Sequence, residues 1–117
     1  AELRPESGAG PAGDSVKLMT IAKFEALPET RTELLELVRV LAEHSRTDAG
    51  CLEYGCYQDI TGADRLLIVG YWTDRQALEQ HYESACFQEL VGGRFATLVI
   101  DAVPSVSLYD VVEIDRL

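Results

Sequence analysis

The sequence predicts an α+β domain, a single antiparallel sheet of four strands with its helices on one face. Three observations predict it. Apolar residues alternate with others in four short segments, 17–24, 51–59, 65–73 and 105–114. Between the first two, residues 30–45 carry Leu34, Leu37, Val38, Leu41 and Ala42 at spacings of three and four, with Arg31, Glu33, Glu36 and Glu43 on the other side, which is an amphipathic helix. The resulting order of strand, helix, strand, strand, helix and strand is that of a split βαβ, ferredoxin-like sandwich.

Residues 1–15 are rich in glycine and proline without apolar periodicity and read as a mobile tail, so a single domain is expected over 16–117. The first strand puts Leu18, Thr20, Ala22 and Phe24 on one face and is broken by Leu27-Pro28. Thr30 is expected to cap the long helix, with Glu33 completing a capping box, and Asp48-Ala49-Gly50 closes that unit. Strands 51–59 and 65–73 should pair antiparallel around the loop from Ile60 to Asp64, with Gly62 taking a positive φ. Thr73 with Gln76 reads as a second capping box, for a helix over 74–83. Ser84 can cap a further helical segment through Leu90, which Gly92-Gly93 interrupts or ends. Residues 95–103, FATLVIDAV, suit a buried strand or a continued helix, and Pro104 ends either. The last strand, 105–114, is apolar on both faces. Helices on one face leave the second apolar face to be covered, so a homodimer packed sheet on sheet is expected.

Bulk properties narrow the function classes. A chain of 117 residues holds one core, and no apolar run approaches the roughly 20 residues of a membrane span. No charged leader followed by an apolar stretch and a cleavage site opens it. The net charge of -10 repels phosphate backbones and anionic lipid, which argues against nucleic acid and membrane partners. Three cysteines, an odd number without zinc-ligand spacing, point to a reducing compartment and hence the cytoplasm. Glycine-rich phosphate loops, HExxH, G-x-S-x-G and paired carboxylates are missing, so neither a metal nor a cofactor is expected.

Chemistry concentrates in residues 67–87. The only tryptophan, Trp72, ends an apolar strand, and His81 follows on a helix face shared with Leu78. An imidazole titrating near neutrality can take a proton from a phenol and return it. Trp72 reads about equally as a core plug or as a pocket wall that stacks on an aromatic substrate and donates its indole N–H. His44, near the end of the long helix, is explained by the helix dipole. Cys86 lies five positions after His81, which on a continuous helix separates the two faces, so no Cys–His nucleophile is expected. Strict alternation would turn Cys51 away from Cys56, and Tyr54 away from Tyr57, on what reads as a central strand.

The long helix ending in Ser45-Arg46, the stretch DAGCLEYGCYQD, the strand end at Trp72, the spacing to His81 and the segment ESACF together resemble the antibiotic biosynthesis monooxygenase family of small dimeric α/β-barrel proteins. Gly70 stands where members often carry glutamate and Cys86 where they carry a second histidine. Ile68 and Leu78 are apolar where members that oxidise polycyclic substrates are polar. The resemblance implies a cofactor-independent monooxygenase or quinol oxidase that acts on a small electron-rich aromatic with molecular oxygen. His81 and Trp72 would be catalytic, with Tyr54, Ile68, Leu78 and Phe87 contacting substrate. Two other readings share the scaffold. One is a haem-binding or haem-degrading monooxygenase, although the first-strand asparagine such enzymes use is absent here; the other is a non-enzymatic stress-response or ligand-binding barrel. A cavity of a few hundred Å³ beside His81 would favour catalysis, and a filled interior would favour the last.

Overall fold

A computed structural model describes residues 17–100 and 105–116. The expected tail at 1–15 and the end of the ambiguous segment, 101–103, lie outside the described residues. Strand β1 (Lys17–Glu25) is followed by a 3-10 turn (Pro28–Thr30), helix α1 (Arg31–Ser45), and the hairpin β2 (Cys51–Asp59) and β3 (Gly62–Trp72). Then come α2 (Arg75–Glu83), α3 (Ala85–Glu89), a π-helical turn (Leu90–Phe95), α4 (Ala96–Leu98) and β4 (Ser105–Val111). The sheet order is β2-β3-β1-β4 with every pairing antiparallel, so the ferredoxin-like sandwich expected from the sequence is the fold observed. No helix among the described residues is long and apolar enough to cross a membrane.

Alternation sets the two faces. Leu18, Thr20 and Phe24 of β1 and Leu66, Ile68 and Trp72 of β3 are buried beneath the helices. Onto them α1 lays Leu34, Leu37, Val38, Leu41 and Ala42, all buried, and fully burying a leucine such as Leu34 contributes about 1.5–3 kcal/mol. Phe95 closes the far end, its ring 5.0 Å from Phe24 in an edge-on contact. The opposite face carries Met19, Ile21, Leu67, Val69 and Tyr71, each only half-buried, beside the exposed Tyr57 and Tyr109. β2 is an edge strand and not a central one.

Several local expectations are corrected. Thr30 does not cap α1, because its hydroxyl donates to the carbonyls of Leu27 (3.1 Å) and Leu98 (2.8 Å). Glu33 pairs instead with Arg94 of the π-helical turn. The cap of α2 is Asp74, whose carboxylate accepts from the Ala77 N–H at 2.8 Å, so the box expected from Thr73 starts one residue too early. Ser84 caps α3 as expected, accepting from the Phe87 N–H. Gly92-Gly93 interrupt regular α-helix by widening it, and helix resumes to Leu98 before Val99 bridges to Ala26. Between β2 and β3, Asp59 accepts from the Thr61 N–H and hydroxyl in a two-residue turn, and Gly62 is already paired in the strand. The positive φ falls at Gly50 (φ 80), where an added Cβ would also lie 2.4 Å from the Ala77 side chain. A bulge between Cys51 and Glu53 sets Cys51 opposite Trp72 and Cys56 opposite Ile68. Both thiols therefore belong to the helix-bearing face, against simple alternation.

Candidate functional site

His81 reaches the interior from the inner face of α2 and is 2% exposed. Its ring sits in an aromatic box, with centroids 4.5 Å from Trp72, 5.0 Å from Phe87, 5.3 Å from Tyr54 and 5.5 Å from Tyr82. Its Nδ1 lies 3.0 Å from a carboxylate oxygen of Asp48, in the turn between α1 and β2. Burial lowers the imidazole pKa below its ordinary 6.5, and the Asp48 carboxylate opposes that shift without reversing it, so the ring is neutral at neutral pH. Burial raises the phenols of Tyr54 and Tyr82 and the thiol of Cys86, which keeps all three protonated as well.

A cavity of about 100 Å³ opens beside the imidazole, and its walls include Thr20, Tyr54, Ile68, Tyr82, Phe87, Val91 and Phe95. Val106 of β4, 53% exposed, carries this lining out to the surface. A larger hollow of about 570 Å³ lies elsewhere on the sheet, but its rim of Lys23, Glu25, Asp59 and Arg65 is ionic and no histidine lines it.

His81, Tyr54, Ile68 and Phe87, all singled out from the sequence, meet at the smaller cavity. Two others do not line it. Leu78 is buried in the core, and Trp72, 0% exposed, lies behind the imidazole rather than beside the cavity. Gly70 explains the position of the indole. A Cβ there would stand 2.7 Å from the indole Nε1 and 2.7 Å from the Thr20 hydroxyl, so the ring edge occupies space that any side chain at 70 would need. The indole N–H is buried there without an acceptor among the described residues. Sequence reasoning missed Asp48, whose only local signal is a turn-forming Asp-Ala-Gly, and Val91 and Phe95, which the π-helical turn brings inward.

The sequence profile of the family described as antibiotic biosynthesis monooxygenase matches residues 18–92, from β1 through the cavity wall at Val91. The chain belongs to the antibiotic biosynthesis monooxygenase family. In sequence it is 30% identical over 70 residues to the Bacillus subtilis protein named "Putative monooxygenase YcnE", covering 60% of this chain and 74% of that one. It is 28% identical over 74 residues to the uncharacterized Synechocystis protein sll1783, covering 63% of this chain but only 50% of that one, so it spans half of that relative's length. A solved structure of an antibiotic biosynthesis monooxygenase superposes with a TM-score of 0.75 at 29% identity, covering 82% of this chain and 99% of the other. Asp48, Tyr54, Trp72, His81 and Phe87 all fall within the matched residues of this antibiotic biosynthesis monooxygenase family member.

Proposed function

We propose that this family member is a cofactor-independent monooxygenase or quinol oxidase whose substrate is a single electron-rich aromatic ring. The observation that carries the reading is a buried, neutral His81 on the wall of an aromatic-lined cavity. There the imidazole takes a phenolic proton, and the resulting anion gives an electron to molecular oxygen. In the oxidase outcome a second electron and proton follow, so one hydroquinone and one oxygen become one quinone and one hydrogen peroxide. In the monooxygenase outcome one oxygen atom enters the ring system and the other leaves as water. Stacking on Phe87 and Tyr54 would hold the ring in place for either.

Cavity size supports a small substrate. Roughly 150 Å³ of apolar space holds a benzene ring, so about 100 Å³ takes one ring only with a modest shift of its walls. The Leu90–Phe95 turn supplies walls of the kind that yield, because its π-helical backbone departs from regular helix and even a Cβ added at Gly92 or Gly93 would meet nothing within 4 Å. Haem does not fit, because the macrocycle is several times larger than this space. Oxygen-electrode measurements are expected to show uptake with monocyclic hydroquinones and none with three-ring phenols. Uptake with neither, combined with tight binding of a single-ring ligand, would replace this reading with a non-enzymatic ligand-binding barrel.

The half-buried apolar sheet face supports a homodimer packed sheet on sheet, with one such cavity per subunit. Light scattering is expected to give twice the single-chain mass, and a single-chain mass would overturn the dimer. The three free, half-buried cysteines fit a reducing compartment, which supports a cytoplasmic location.

A further inference from the structure

We propose that Asp48 is a positioning residue for the reaction, fixing the tautomer of His81 so that Nε2 presents its lone pair to the cavity. The inference rests on the function proposed above, in which His81 is the base.

It starts from the hydrogen bond. A carboxylate only accepts, so the Asp48 oxygen 3.0 Å from Nδ1 requires the proton on Nδ1 and leaves Nε2 as the basic atom. Free histidine holds no such preference, and a ring with its proton on Nε2 would turn a donor toward the substrate instead of a base. The bond also fixes ring orientation. Asp48 is anchored by its own backbone, its N–H donating to the Ser45 carbonyl and its carbonyl accepting from the Cys51 N–H at 3.1 Å, so the carboxylate is held between α1 and β2 while the imidazole arrives from α2. Three separate elements thereby converge on one geometry.

The titratable groups around the ring and around its Asp48 partner that burial perturbs carry no charge. Tyr54 on β2, Tyr82 on α2, Cys51 at the start of β2 and Cys86 on α3 are all titratable, and burial raises each of them, so each stays protonated near neutral pH. Thr20 on β1 and Trp72 on β3 do not titrate. Among the described residues, the charge that acts on His81 is the Asp48 carboxylate, and it supports the basicity that burial reduces. A side chain serving only to hold the turn would have no effect on either property.

Asp48→Asn is the informative variant, because it keeps the shape while removing the charge and, with an amide that can turn either its oxygen or its NH2 to Nδ1, the requirement for a proton on that atom. The chain has two histidines, His44 and His81, so nitrogen-15 NMR of the imidazoles resolves the site directly. The wild type is expected to show His81 protonated on Nδ1, and Asp48→Asn to shift its pKa downward. With a monocyclic hydroquinone, the variant is expected to lose about tenfold or more in kcat/KM. The acid limb of its pH profile should move to lower pH, since the neutral base then persists further down. An Nε2-protonated wild-type ring, or an unshifted His81 pKa in Asp48→Asn, would overturn the proposal. Absence of oxygen uptake by the wild type, with the NMR results as expected, would instead overturn the oxidation reaction and with it the catalytic part of the role, leaving the tautomer assignment in place.

Discussion

Oxygen uptake with a monocyclic hydroquinone is expected to fall by at least about tenfold when His81 is replaced, since a positioned general base contributes about a hundredfold to ten-thousandfold. Alanine alone would confuse two effects. The imidazole fills the space between Trp72, Tyr54 and Phe87, and removing an aromatic ring of this size from a core costs about 3–5 kcal/mol. His81→Phe separates them, because it restores the volume without a proton carrier, and Asp48 is exposed enough at 28% to solvate its carboxylate once the partner is gone. The expected result is a folded His81→Phe protein with a thermal midpoint near that of the wild type and the same loss of turnover as His81→Ala. Full turnover in the folded phenylalanine variant would remove His81 from the chemistry.

The pH dependence follows from the same group. The base works neutral, and burial holds its folded pKa below 6.5, so wild-type kcat/KM should stay level from neutral pH down past 6.5 and fall only as pH passes through the lowered value. Stability has the same sign. Below about 6.5 the unfolded chain binds the proton at this residue more readily than the folded one, so folding stability declines as pH drops toward the folded pKa. In His81→Phe this part of the acid sensitivity should vanish.

Much of the architecture was readable because it depends on period. The strands and α1 announce themselves through residues two, three or four apart, and alternation grouped Thr20 with Leu18 and Phe24 on one face and turned Tyr54 away from Tyr57 without saying which face is the inner one. What could not be read depends on partners distant in sequence. The capping-box pattern at Thr30 is correct as a pattern, yet the hydroxyl is taken by Leu98, 68 residues on. Asp48 and His81 stand 33 residues apart, and nothing local marks the aspartate as different from any turn-forming one. The glycine pair at 92 and 93 signals a departure from regular helix without saying that the chain would widen and turn Val91 and Phe95 onto the cavity. A single extra residue at the Cys51–Glu53 bulge was enough to reverse the face of Cys51.

Of the two roles the sequence leaves open to Trp72, the fold places the ring where a core plug would sit, and its replacement should have the largest effect on stability. Trp72→Ala removes a side chain with no exposed surface from the end of the sheet and is expected to cost about 3–5 kcal/mol. Trp72→Phe sets two terms against each other. It loses part of the ring volume packed on His81 and Tyr54, but it also removes an N–H that is buried without an acceptor among the described residues, a defect worth about 1–3 kcal/mol. The phenylalanine variant should therefore lie much closer to wild type than the alanine one, as urea denaturation midpoints would show. The same variant decides between the two roles open to the indole. A ring lying behind the imidazole supports His81 without meeting the substrate, so Trp72→Phe should leave KM for a hydroquinone within about twofold and alter kcat only as far as the imidazole shifts. A wall that stacks on the substrate and donates to its oxygen would instead raise KM about tenfold, since a hydrogen bond to a charged acceptor contributes about 1.5–3 kcal/mol. A large rise in KM with stability preserved would return Trp72 to the cavity lining and require the indole to swing away from Gly70 when substrate enters.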